Sequence, residues 1–188
     1  MKHTIVYMGK YPMAKGAEPS PIPWIVYARK GDELYLISQD ILDRKQYAET
    51  ENNAWDESLL RKWLSTEFLN AAFNEEEQAR LLPAYKDDKV SLLGLGDYDE
   101  YFWKKTGMGR AKYTDYVKSQ LTYDPGVYGF YWTREANQGL TPQELASKTI
   151  HATNATYVWH VTNRGIPNGY MRAGDVDGVR PIIRIKKG

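Results

Sequence analysis

Apolar and polar positions alternate at both ends of this chain and recur at helical spacing in its middle, so the pattern alone predicts a β-start, a helical centre and a β-rich end. Residues 4–11, Thr-Ile-Val-Tyr-Met-Gly-Lys-Tyr, predict a first strand. Pro12 and the run Ala17-Glu-Pro-Ser-Pro-Ile-Pro23 predict an extended, turn-rich connection, because proline fixes φ and offers no N–H. The segments 24–28 and 33–38 flank Lys30-Gly31-Asp32, which predicts a hairpin. Over 56–73, Leu60, Trp63, Leu64 and Phe68 fall on one helical face, while Arg61, Lys62 and Glu67 lie off it. Asn74 with Glu77 three residues on has the form of a capping box for a second short helix, which Pro83 closes.

Residues 90–95 predict a buried strand. Asp97 with Glu100 repeats the capping pattern and predicts a short helix carrying Tyr101, Phe102 and Trp103; another turn of helix is expected at 114–120. A strand is expected at 128–134 and a short helix from Thr141 to Ser147, where an N-cap is followed by a proline at the first helical position. Along 156–162 the residues alternate, with Tyr157, Trp159 and Val161 on one face and Val158, His160 and Thr162 on the other. Gly165, Pro167, Asn168 and Gly169 predict a hairpin or exposed loop within 163–175. The final strand, about 179–186, directs Val179, Ile183 and Ile185 to one face. No repeat, low-complexity tract or linker divides the chain, and 188 residues suffice for the core of one domain, expected to span 1–188.

Composition changes this picture in one respect: the aromatic content is 15 Tyr and 6 Trp against 4 Phe. Tyr and Trp carry a polar handle on a large ring, which suits both cores with wet edges and binding surfaces. A formal net charge of +1 implies no pull toward nucleic acid or an anionic membrane. No run approaches the ~18 apolar residues of a membrane span. Met1-Lys-His-Thr-Ile-Val-Tyr-Met-Gly9 lacks the apolar run and cleavage site of a signal peptide, so a cytoplasmic location is expected if residue 1 is the native start.

The order of segments adds a resemblance. Gly9-Lys-Tyr-Pro12, Pro23-Trp-Ile-Val26, Leu36-Ile-Ser38, the block from Trp55-Asp-Glu-Ser-Leu-Leu-Arg61 to Phe73, Phe130-Tyr-Trp-Thr-Arg134 and the closing Gly178-Val-Arg-Pro181 together resemble a bacterial domain family of unknown function. That family is placed with the superfold of C-type lectins and the formylglycine-generating enzyme. The resemblance implies an α+β, C-type-lectin-like fold: small antiparallel sheets with flanking helices, first and last strands paired, and a long loop region above. Two departures stand out. Thr133-Arg-Glu-Ala136 replaces the family's Leu-Arg-Ser-Pro, and residues 137–153 have the character of an insertion.

Chemistry-bearing motifs are sparse. The chain has no cysteine, which removes disulfides, thiolate metal sites, a cysteine nucleophile and catalysis of the formylglycine type. His3, His151 and His160 are too scattered for a recognisable metal site. Asp97-Tyr-Asp99 and Asp175-Val-Asp177 offer hard oxygens for calcium, but alternating acids are common on exposed loops; no metal or cofactor is expected. Phosphate-binding glycine loops and nucleophile elbows are absent. Asn154-Ala-Thr156 matches a glycosylation sequon that needs a secretory context.

What remains is the polar and aromatic stretch 128–172. Tyr131, Tyr157, His160, Asn163, Arg164, Asn168, Tyr170 and Arg172 combine rigid rings with planar hydrogen-bonding groups able to stack on and orient a sugar or peptide. Trp132, Arg134, Arg180 and Pro181 sit in strands that the resemblance marks as framework. The expectation is a non-catalytic module that binds carbohydrate or protein. Its competitors are an intracellular or phage-derived assembly domain and a hydrolase using Asp97, Asp99, Glu100 or Glu135.

Overall fold

A computed structural model describes residues 3–49, 52–103, 107–137 and 157–187. The helix expected at 141–147, the sequon at Asn154 and nearly all of the 137–153 segment lie outside these residues. The described chain is mostly β, with two sheets and several short helices in a loose α+β arrangement.

The first sheet contains β1 (Ile5–Tyr11), β2 (Ser20–Lys30), β3 (Glu33–Ser38), β5 (Leu81–Leu82), β6 (Val90–Leu92) and β11 (Pro181–Lys186). Its order is β1-β2-β3-β11-β5, with β6 also on β11. The second is ordered β4-β10-β7-β8-β9, from β4 (Asp43–Gln46), β7 (Tyr131–Ala136), β8 (Tyr157–Val161), β9 (Pro167–Arg172) and β10 (Val176–Val179). The chain passes from β10 in one sheet to β11 in the other through Arg180 alone.

One expectation fails here. The first and last strands are not partners: β1 pairs only with β2, and β11 lies antiparallel to β3, with Ile183 opposite Leu36 and Ile185 opposite Leu34. The β2–β3 hairpin stands between the two termini and offers β11 an apolar free edge. Strand β2 also begins earlier than the prolines suggest. Pro21 and Pro23 face Lys10 and Tyr7 on β1, but pairing with β3 starts only at Trp24 opposite Ser38, so the proline-bearing half has edge character.

The helical block is a short 3₁₀ turn at Trp55–Glu57, then α1 (Leu59–Trp63), a π-helical turn (Leu64–Phe68) and α2 (Leu69–Ala72). Leu60, Leu64, Phe68 and Ala72 are all buried. Residues four apart drift around an α-helix of roughly 3.6 residues per turn, and a wider π turn holds such a series on one face. Trp55 Nε1 and Arg61 Nε both donate to the buried Asp88, tying the block to the segment before β6. The capping box forms as the sequence predicts: Asn74 accepts from Glu77 N and Glu77 from Asn74 N at the start of α3 (Glu75–Arg80).

Helix α4 (Leu95–Tyr101) begins two residues before the predicted cap, after Gly94, which has no capping side chain; Asp97 instead pairs with Arg134 at 3.2 Å. Helix α5 (Asp115–Lys118) is capped by Thr114, whose hydroxyl accepts from Val117 N. Apolar packing falls into two clusters. Leu36, Ile183, Ile185, Val179 and Trp132 pack with the α1–α2 face in one. Ile37, Ile182, Tyr131 and Val161 pack with Tyr98, Phe102 and Val117 in the other. Adjacent residues on β3, β7 and β11 therefore serve opposite sides, as strand alternation requires.

Candidate functional site

The residues expected to form one binding surface do not come together. Tyr131 is fully buried: its hydroxyl donates to Gly109 O at 2.7 Å and accepts from Arg180 Nη1 at 3.1 Å. Burial raises its pKa, so it stays a neutral donor. His160 is buried as well, stacked on Phe130 with ring centroids 5.7 Å apart and bonded through Nδ1 to Asp177 Oδ2 at 2.7 Å. Burial also raises the Asp177 carboxyl, against the opposing effect of His160. Because β7 lies between β8 and β10, this pair clips together the two strands that flank it. Both rings are framework, a correction to their expected place on the surface.

Tyr157, Asn168, Tyr170 and Arg172 form a second group on the β8–β9 hairpin. Tyr157 stands opposite Arg172, and the Tyr157 and Tyr170 rings meet edge-on at 6.4 Å. Asn168 Oδ1 accepts from Tyr170 N at 3.0 Å. Asn163 and Arg164 are exposed at the hairpin's turn, and Arg164 borders a cleft.

That cleft has a volume of about 410 Å³. It lies between the end of α4, the segment 107–110 and the turn at 164–166. Tyr98 and Phe102, stacked 5.7 Å apart, form its apolar floor. Helix α4 ends at Tyr101, which carries Phe102 inward and leaves Trp103 59% exposed at the rim. Ile166 is 49% exposed across from it. Arg110 and Arg164 supply the only charges along the described lining.

Close backbone approach makes the cleft possible. Tyr98 donates through its hydroxyl to Gly165 O. A Cβ on Gly109 would lie 2.6 Å from that hydroxyl and 2.9 Å from Gly165 O. Gly165 itself has φ +74° and would press a Cβ to 3.0 Å from Arg110 Cγ, so glycine is required by both conformation and space. Burial pushes the Tyr98 phenol up to about 12, leaving it a donor across the physiological range.

The buried framework supports this arrangement. Arg180 donates to Met108 O at 3.0 Å and Tyr131 to Gly109 O, so adjacent carbonyls of the 107–110 segment are held from below. Replacing Tyr131 by Phe is expected to cost about 1–2 kcal/mol in urea denaturation, since Gly109 O then lacks its buried donor. The same variant should show faster amide hydrogen exchange at 107–110; unchanged exchange there would contradict this support.

Arg110 and Trp103 were not legible as site residues. Trp103 reads as one more ring on a helical segment until the helix is seen to stop two residues before it. Two of the four carboxylates weighed for hydrolysis are bound up differently: Asp97 and Glu135 both flank Arg134, at 3.2 and 3.7 Å. Among the described residues no cluster of three or more His, Cys, Asp or Glu could hold a metal ion, and no helix is long and apolar enough to cross a membrane.

A family model for a domain of unknown function, DUF6273, matches residues 31–187, most of the chain. The chain belongs to the DUF6273 family. The DUF6273 match begins in the β2–β3 turn, so β1 and all of β2 precede it, and it takes in every described residue of the cleft. No curated protein and no solved structure matches the chain.

Proposed function

We propose that this DUF6273 domain is a non-catalytic module that binds a carbohydrate or protein ligand in the cleft between Trp103 and the 164–166 turn. The observation that carries this reading is a cleft with an aromatic floor, an exposed indole and two charged forks, with no nucleophile, acid pair or metal cluster among its described lining residues. Concave sites lined by apolar rings and a few placed polar groups are the usual form of small-ligand pockets. A scaffold resembling the C-type-lectin superfold suits the reading: its largely antiparallel sheets, flanking helices and loop-built surface are consistent with that likeness. The separation of β1 from β11 departs from it.

A glycan and peptide array tests the proposal with three proteins: the wild type, Trp103→Ala with Arg164→Ala, and Tyr170→Ala with Arg172→Ala. Wild-type binding that the cleft variant loses and the β9 variant keeps is the expected result. Equal binding by the wild type and the cleft variant would move the site elsewhere.

A further inference from the structure

Arg110 and Arg164 face a cleft that contains no carboxylate among its described lining residues, and neither guanidinium forms an ion pair with a described acid. Three other arginines of the described chain are paired with acids: Arg61 with Asp88, Arg134 with Asp97 and Arg184 with Glu33. The cleft thus concentrates positive charge that the described residues do not neutralise, on a chain whose net charge is only +1.

Arg110 is also held in place. Its Nε donates to Arg164 O at 3.2 Å, and its guanidinium lies 5.5 Å from the centre of the Tyr128 ring. These contacts fix the plane of the group while its terminal nitrogens have no described hydrogen-bond partner. A guanidinium oriented beforehand loses less freedom when it binds, and its planar fork matches a carboxylate. Beside it, Trp103 and Ile166 present apolar surface to the same space. The C–H face of a sugar ring packs well on an exposed indole, which holds a flat hydrophobic surface beside water.

From this we infer that the cleft takes an acidic saccharide, its carboxylate between Arg110 and Arg164 and its ring against Trp103. The inference rests on the binding-module reading and narrows it to one ligand class. A carboxylate fits better than a phosphate. Phosphate sites draw on helix N-termini, whereas the described helix in this lining, α4, arrives with its C-terminal end, whose negative dipole penalises a doubly charged phosphate more than a singly charged carboxylate held by two guanidinium groups.

The test is an NMR titration of the whole chain with digalacturonate, its methyl ester and adenosine monophosphate, following the Trp103 indole N–H and the amides of 107–110 and 163–166. The expected result is saturable shifts with digalacturonate, and affinity lower by about tenfold or more for the ester, which keeps the shape and loses the charge. Arg110→Gln and Arg164→Gln should each weaken digalacturonate binding by a similar factor while leaving ester binding unchanged. Equal binding of acid and ester in the cleft would overturn the preference for acidic sugars and leave the binding module standing. Tighter binding of adenosine monophosphate would overturn the saccharide class. Shifts confined to other faces, with all three ligands, would overturn the inference together with the site on which it rests.

Discussion

Replacing Arg180 by leucine is expected to remove about 3–5 kcal/mol of stability, a large part of what a domain of this size holds in reserve. The side chain is fully buried, yet its donors go to neutral acceptors: Ser38 O at 2.9 Å, Met108 O at 3.0 Å, the Tyr131 hydroxyl at 3.1 Å and Gln39 O at 3.5 Å. Leucine fills part of the volume and leaves the Ser38 and Met108 carbonyls and the Tyr131 hydroxyl without this donor in the buried interior. Each orphaned acceptor costs about 1–3 kcal/mol, only partly offset by no longer burying a cation. Lysine keeps the charge but has no planar fork to span β3, β7 and the 107–110 segment, so Arg180→Lys should fall between wild type and leucine. Urea denaturation measures all three, and a leucine variant within about 1 kcal/mol of wild type would contradict the assignment of Arg180 as the joint between the sheets.

The second large effect is expected at Asp177. Alanine there leaves His160 Nδ1 and Gly178 N, which bonds Asp177 Oδ1 at 2.7 Å, without acceptors in the interior. A loss of about 3 kcal/mol follows from breaking a buried pair on one side only. The pair itself need not be worth that much, because burial opposes the charged carboxylate. His160→Phe keeps a ring between Phe130 and Trp132, and the double variant Asp177→Ala with His160→Phe removes both polar partners together. It should therefore be more stable than the sum of the single losses predicts, by about 2 kcal/mol in a double-mutant cycle. Simple additivity would show that the two groups are not coupled across β7.

These two positions also mark what the sequence reveals and what it hides. Local rules were readable. Asn74 and Glu77 form their capping box because both partners lie within one turn, and Ile183 and Ile185 share a face of β11 because strand alternation places them there; Val179, expected on the same strand, instead ends β10 in the other sheet and meets them only in the core. Arg180 was recognisable as framework from the closing motif that contains it. The polar rings were not separable in the same way. A tyrosine or histidine can serve a surface or satisfy its polar atom inside, and the partners that decide it here, Gly109 for Tyr131 and Asp177 for His160, depend on tertiary packing.

The cleft was hidden for the same reason. It joins three segments, 98–103, 107–110 and 164–166, none of which carries a motif alone. The strand order was hidden too: β1 and β11 are both apolar and either could edge the hairpin, and only the register of β11 on β3 distinguishes them. Where Asp97 and Glu100 imitated a helix start, a long-range partner, Arg134, had already claimed Asp97.

The central claim is the position of the binding surface, and a hydrogen–deuterium exchange footprint tests it most directly. The protein is compared free and saturated with the strongest array ligand. Protection concentrated in 107–110 and 163–166, absent from the Trp103→Ala, Arg164→Ala variant at the same ligand concentration, is the predicted result. Protection along Tyr157, Tyr170 and Arg172 with those cleft segments unchanged would place the ligand on the outer hairpin face and contradict the account.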